Sequence, residues 1–447
     1  MPVTESVSSW RAAPRTTRAV LFVCWLAILL EGYDVGVMGA VLPALAEYRA
    51  WNLSPLQLGA LGAYALAGMF FGAFCIGTLS DLFGRRRMLL ACVSLFSLTM
   101  AGAAWAPTPG WFALFRFIGG LGLGGVIPVA AALTIEYSPP EKRSFNYGLM
   151  YSGYSLGILS SALMAMWLLQ QAGWRGVIGV GAVPMVLLPL MARLLPESIE
   201  YLVGKGRHRQ AAALAATLGI RGTLPAAAAP ATPGAAWRAV LSAMFSRSQR
   251  RATAFFWLSL FLGMLLVYGL NTWLPQIMRK NGYDLGSSLS FLAVFSLASA
   301  AGGILLGRVA DRFGARPTVA MAYLVGAAAI AGLMTRNGLA VNYVLVALAG
   351  IGSISASLVL TGYLADYYPP RARATATGWA LSFARIGAMC GPMLGGYVGS
   401  LGLPIAWNFI AFAIAGLVAA TAVALIPGRR ALVANHVPAQ GMTAAAD

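Results

Sequence analysis

The sequence predicts an all-α membrane protein of twelve transmembrane helices arranged as two pseudo-symmetric six-helix halves. Three observations lead there. Apolar residues make up 59% of the 447 positions and charged ones only 10%, with a mean hydropathy of +0.75, far from the composition of a soluble domain. Twelve apolar runs have the length of a bilayer span, which takes about 20 residues. Two motifs recur at one fixed interval.

The runs fall near 19–46, 56–79, 88–106, 111–135, 145–169, 176–195, 252–278, 286–309, 318–335, 340–364, 376–399 and 403–427, separated by polar or Gly/Pro punctuation. Basic residues precede the first run as in a signal peptide, but no small-residue cleavage site follows and two acids interrupt it, so it is expected to be a retained helix. An even count puts both termini on one side. Of the 31 basic residues, 24 then lie on the terminal side, 5 on the other and 2 inside spans, so the positive-inside rule makes both termini cytoplasmic. The net charge of +18 is explained by that sorting and needs no nucleic acid.

The expected organisation is a first half over 1–195, a cytoplasmic linker over 196–251, a second half over 252–428 and a cytoplasmic tail over 429–447. The linker holds a basic piece from Lys205 to Arg209 and an Ala/Pro-rich run over 224–234, and Pro196-Glu-Ser-Ile-Glu-Tyr reads as a helix start capped by its acids. The halves repeat: Gly77-Thr-Leu-Ser-Asp-Leu-Phe-Gly-Arg-Arg-Arg87 returns 230 residues on as Gly307-Arg-Val-Ala-Asp-Arg-Phe-Gly-Ala-Arg-Pro317, and Glu136-Tyr-Ser-Pro-Pro-Glu-Lys-Arg143 returns as Asp366-Tyr-Tyr-Pro-Pro-Arg-Ala-Arg373. Parallel repeats of this kind place a binding site between them near the midplane.

Glu31-Gly-Tyr-Asp34 puts two carboxylates on one face of the first span, roughly halfway through it. An acid there costs roughly 2.5–3.5 kcal/mol on insertion scales, so such residues face an interior cavity and serve ion or substrate pathways. Residues shared by both halves serve the fold, whereas polar residues present in one half are candidates for function. Glu31 and Asp34 correspond to Phe261 and Met264, Arg116 to Val346 and Arg385 to Ser155, so every intramembrane charge is asymmetric.

Arg385 lies near the middle of the eleventh span, and its planar fork suits a substrate carboxylate, the alternative being a standing pair with Asp34 or Glu31. Arg116, followed by Gly119, Gly120, Gly122, Gly124 and Gly125, is expected to pair with Asp34 or Glu31, either to tune the acid or as a plain structural bridge. Tyr147, Tyr151 and Tyr154 form a stripe on the fifth span, Tyr268, Asn271 and Trp273 lie in the seventh, and Tyr64 and Trp379 are further aromatic candidates. Such stripes serve packing or a flat aromatic ligand. Asp81, Arg85, Glu136, Arg143, Asp311, Arg312, Asp366 and Arg373 sit at cytoplasmic span ends in symmetric loops and are read as gate residues able to bridge the halves.

No phosphate-binding loop is present, His208 and His436 stand alone outside the spans, and Cys24, Cys75, Cys92 and Cys390 lack ligand spacing. The expectation is a protein without enzymatic activity, cofactor or metal, working as a monomer in the bilayer.

The repeated loop resembles the Gly-x-Leu-x-Asp-Arg-x-Gly-Arg-Arg pattern of the major facilitator superfamily, with Leu82 in place of the first arginine. Within it, the acid pair, Tyr268-Gly-Leu-Asn-Thr-Trp-Leu-Pro-Gln, and Tyr368-Pro-Pro-Arg-Ala-Arg running on to Ala384-Arg-Ile-Gly-Ala are similar to the bacterial aromatic acid:proton symporters. That family has aspartate first in its acid motif; here Glu31 keeps the charge, and the family role carries over to Asp34. The resemblance implies a symporter in the inner membrane that imports a benzoate-, hydroxybenzoate- or phenylpropanoate-type acid with protons by alternating access. Asp34 would take the proton, with Glu31 assisting. Gly391-Pro-Met-Leu-Gly-Gly396 resembles the glycine-proline motif of drug antiporters, so a proton-driven exporter of the same fold is the alternative, and a non-transporting receptor on that fold is a third reading.

Overall fold

The computed structural model describes residues 13–218, 244–246, 249–335, 337–368 and 370–427, so the Ala/Pro-rich run and the C-terminal tail lie outside the described residues. Every regular element among the described residues is helical. The first half contains α1 (Pro14–Ala46), α2 (Pro55–Phe83), α3 (Arg85–Ala104), α4 (Pro109–Glu136), α5 (Arg143–Gly179) and α6 (Pro184–Leu194). Short helices α7 (Ile199–Gly204) and α8 (His208–Thr217) follow. The second half runs through α9 (Arg250–Lys280), α10 (Leu285–Phe313), α11 (Ala315–Gly332), α12 (Leu339–Gly350), α13 (Ala356–Tyr367), α14 (Pro370–Ser400) and α15 (Ala406–Ala424). A π-helical turn, Ile351–Ser355, joins α12 to α13 in one leg, so each half has six legs.

Among the described residues, ten helical stretches are apolar and long enough to cross a membrane. One of them, Pro140–Leu194, holds two legs because Gly173 breaks the helix at φ +64°, a left-handed conformation that glycine adopts without strain. The chain thus passes from the fifth leg to the sixth without a loop. The eleventh leg is α14, whose 31 residues include Arg385.

The repeat seen in the sequence is built into matching contacts. Gly84 and Gly314 join the second leg to the third at φ +104° and +93°, which fixes glycine in both copies of the loop motif. Tyr137 donates its hydroxyl to the Glu197 carbonyl at 2.6 Å, and Tyr367, 230 residues on, donates to the Pro427 carbonyl at 3.2 Å. Arg86 reaches the Ala192 carbonyl at 2.5 Å, and Arg316 reaches that of Ala424. These contacts hold the end of each sixth leg to the end of its fourth and the start of its third.

The halves meet at the end of the bundle that carries Glu47, Pro55 and Lys280. Arg279 of α9 forms an ion pair with Glu47 beyond α1 at 2.8 Å. Missing side chains let backbones touch there. A Cβ on Gly59 of α2 would stand 2.6 Å from the Pro392 carbonyl and 3.1 Å from Gly396 Cα of α14, and one on Gly39 of α1 would collide with the Asn271 carbonyl of α9. The glycine-proline motif of the eleventh leg therefore lies at this seam. At the opposite end, no ion pair joins the halves among the described residues.

Gly59→Leu should wedge this seam apart. Spin labels at Gln57 and Tyr397, both exposed beside it, should then report a longer distance than in the parent chain; an unchanged distance would mean that the seam does not rest on close backbone approach.

Candidate functional site

Between the halves lies a cavity of about 160 Å³. Its walls come from α2, α4 and α5 on one side and from α9, α13, α14 and the π-helical turn on the other, and Tyr147 and Thr361 carry it toward the end where the halves are not joined. Tyr147, Tyr151 and Tyr154 stand on successive turns of α5 with their rings stacked, at 6.3 Å and 18° for the first pair and 5.9 Å and 22° for the second. Tyr154 donates its hydroxyl to that of Tyr268 across the two halves at 3.0 Å. Arg385 lines the cavity, is partly exposed to it and enters no ion pair among the described residues.

Behind the tyrosines, α1 presses so closely on α5 that a side chain on Gly32 would collide with the Tyr154 carbonyl. That contact buries both acids, Glu31 at 0% exposure and Asp34 at 2%. Arg116 of α4, 3% exposed, forms an ion pair with Asp34 Oδ1, donates to the Asp34 carbonyl at 3.1 Å and touches Met100 Sδ at 3.1 Å. The guanidinium is thereby spent on Asp34. Neither oxygen of Glu31 has a hydrogen-bond partner among the described residues. Arg385 and Asp34 are the charged side chains whose fields act on it.

The other aromatic candidates lie elsewhere. Asn271 is buried and donates to the Val35 carbonyl at 3.2 Å, tying α9 to α1, and Trp273 donates to the Pro392 carbonyl at 2.8 Å within the second half. Tyr64 of α2 is 42% exposed, and Trp379 of α14 is partly buried; neither lines the cavity.

At the gate positions the pairing stays inside the first half. Arg85 bridges Glu136 at 2.8 Å and Glu200 of α7 at 3.0 Å, and the Glu200 amide donates to Glu136 at 3.0 Å. Glu197 accepts from the Arg86 amide at 2.9 Å, capping α3 as well as serving α7, whose own cap is Ser198. Asp311, Arg312 and Asp366 are exposed, and Arg143 Nε is buried without a partner. The side chains of Asp81 and Arg373 lie outside the described residues. The sequence reading missed the Glu47–Arg279 bridge between the halves; its signal was an acid and a base closing the first leg of each half.

A twelve-leg, twice-repeated bundle with charged groups buried around a central cavity is the architecture of a membrane transporter. The Major Facilitator Superfamily profile matches residues 24–361 and 284–444, and the chain belongs to that family. It is similar to the benzoate transport protein of Acinetobacter baylyi, 34% identical over 92% of this chain and 90% of the relative. It is also similar to the gallate transporter of Pseudomonas putida, 33% identical over 90% of each chain. Among solved structures, the inward open conformation of the xylose transporter XylE from E. coli superposes with a TM-score of 0.72 at 19% identity, over 91% of this chain and 95% of that one.

Because Arg116 and Asp34 are buried together, removing one strands the other. Arg116→Ala should destabilise the protein by about 3–5 kcal/mol, read as a fall in melting temperature in detergent, and adding Asp34→Asn should recover most of it. A loss that the second change leaves untouched would show that Arg116 acts through packing alone.

Proposed function

We propose that the protein is a proton-coupled symporter that imports a small aromatic carboxylate across a bacterial inner membrane by alternating access. The observation that carries this reading is Arg385, in no ion pair among the described residues, facing a one-ring cavity beside a fully buried carboxyl, Glu31, that has no hydrogen-bond partner among them. A cavity of about 150 Å³ is enough for a benzene ring in an apolar interior, and the volume here is about 160 Å³. Arg385 takes the carboxylate as a bidentate partner, and the stacked tyrosines of α5 offer ring faces. The relatives named for benzoate and gallate transport support the substrate class.

In this reading the two acids divide the work. Asp34 is held by Arg116 and keeps α1 and α4 together. Glu31 takes and releases the coupling proton, since an ionised carboxylate without donors is costly in such a site and a neutral acid much less so. This reverses the roles expected from the acid motif alone. One proton per monoanion makes the step electroneutral, so a pH gradient suffices; a second would add roughly 2.3 kcal/mol per 100 mV.

The 24-to-5 distribution of basic residues supports cytoplasmic termini. The joined end of the bundle then faces outward, and the conformation is open toward the cytoplasm. The halves 1–195 and 252–428 rock about the cavity as a monomer, with the segment 196–251 as their linker.

The test is uptake of labelled 4-hydroxybenzoate into proteoliposomes under an imposed inward proton gradient. Glu31→Gln should lose gradient-driven accumulation, by roughly tenfold or more, while still exchanging label against internal substrate, and Arg385→Ala should lose both activities. Accumulation by Glu31→Gln at the parental level would remove Glu31 from the coupling. Flux in wild type that runs outward against a proton entering would make the protein an exporter.

A further inference from the structure

On the second-half wall of the cavity, Ile354, Ser357, Leu358 and Thr361 follow one another at the spacing of a single helix face, and all four line it. The π-helical turn Ile351–Ser355 lies at the head of this stripe, and such turns re-aim a face, often at functional sites. Two of the four are hydroxyl residues. Their counterparts 230 positions earlier are Ile127 and Ala131, so this polarity belongs to one half only, as the intramembrane charges do. Ile127 lines the cavity on the other side, so an apolar side chain occupies the place that Ser357 has in the second half.

The hydrogen bonds fix what each hydroxyl still offers. Thr361 donates to the Ser357 carbonyl at 2.9 Å, so its proton is used and its oxygen remains an acceptor. Ser357 Oγ lies 3.0 Å from Tyr323 Oη. Tyr323 is 0% exposed, and Ser357 is the only group its hydroxyl reaches among the described residues, so the tyrosine must donate or bury an unused proton. Ser357 therefore accepts from Tyr323, and its own proton has no acceptor among the described residues. Gly263 of α9 makes room for this pair: a Cβ there would stand 2.6 Å from Ser357 Oγ.

The wall thus presents one donor and, a helical turn further on, one acceptor, about 5–6 Å apart at their Cβ atoms. A phenolic hydroxyl is the complement of that arrangement, accepting from Ser357 while donating to Thr361. Depth agrees with a ring spanning Arg385 and this pair. Gly387, two residues beyond Arg385, rests on the Phe261 backbone, and Gly263, two residues beyond Phe261, faces Ser357; α9 and α14 run the same way, so Ser357 stands about 6 Å of rise beyond Arg385, and Thr361, one turn further along the oppositely running α13, returns to about the level of the arginine. We infer that Ser357 and Thr361, with Tyr323 as a positioning residue, read a ring hydroxyl, so that the protein selects hydroxylated benzoates over benzoate. This rests on the symport reading above and names the substrate within it.

The test gives proteoliposomes an equal mixture of two differently labelled acids, 4-hydroxybenzoate and benzoate, under an inward proton gradient. The ratio of the two uptake rates does not depend on how much active protein each preparation holds. Wild type should favour the hydroxylated acid, and Ser357→Ala and Thr361→Val should each lower the ratio roughly three- to tenfold. Tyr323→Phe should lower it less, through Ser357. Uptake of both acids with a wild-type ratio at or below one, or with a ratio that neither Ser357→Ala nor Thr361→Val moves, would overturn this inference and leave the symport reading standing. Failure of wild type to take up either acid would overturn both.

Discussion

The structure is governed by the cost of placing ionised groups in an interior that water does not reach. Four charged side chains gather there, Glu31, Asp34 and Arg116 in the first half and Arg385 in the second, and they meet that cost in different ways. Asp34 and Arg116 meet it by pairing, with the Asp34 carbonyl taking a second hydrogen bond. Arg385 meets it by facing the cavity. Glu31 does neither, and a buried carboxyl without a donor is a position that a proton makes tenable. The chemistry of the site follows from that inequality.

Close backbone approach is what brings these groups together. Gly32 lets α1 lie against α5 so that the acids stand behind the tyrosines, Gly39 and Gly59 let the halves meet on one side of the cavity, and Gly263 leaves space for the hydroxyls of Ser357 and Tyr323. In lipid there is no hydrophobic drive between helices, so small residues that allow close packing and hydrogen bonds across helices carry the association. The same glycines give a seam that is tight without being chemically welded. Among the described residues the ion pair Glu47–Arg279 and the hydrogen bonds from Asn271 to Val35 and from Tyr154 to Tyr268 join the halves, and interactions of that size are compatible with a seam that opens in a transport cycle.

The repeat supplies the scaffold and departures from it supply the chemistry. Tyr137 and Tyr367 make the same bond in the two halves, as do Arg86 and Arg316. Where the halves differ, the differing side chains converge on the cavity: Arg385 opposite the tyrosines, and Ser357 in the place that Ile127 has in the first half. The Arg85–Glu136–Glu200 network is also one-sided, since Ala315 stands where a second Arg85 would be. It fastens α7 to the first half, so the segment between the halves is anchored at one of its ends.

The sequence by itself determined the twelve legs, the twofold repeat and the four intramembrane charges, because each depends on local properties: run length, motif recurrence, and the scarcity of charge in apolar segments. It also offered Tyr147, Tyr151, Tyr154 and Tyr268 beside Arg385, but together with Asn271, Trp273, Tyr64 and Trp379, which do not line the cavity. Only the tertiary structure decided which acid Arg116 holds, because Glu31 and Asp34 share a helix face and differ by about 4.5 Å of rise, a difference that only the placement of α4 resolves. It likewise separated Asn271 and Trp273, buried in helix contacts, from Tyr268 three and five residues away on the cavity side. Ser357 and Thr361 were beyond the reach of a search for charges: a hydroxyl in an apolar helix usually satisfies itself on its own backbone, and what it has left to offer depends on neighbours distant in the chain, here Tyr323.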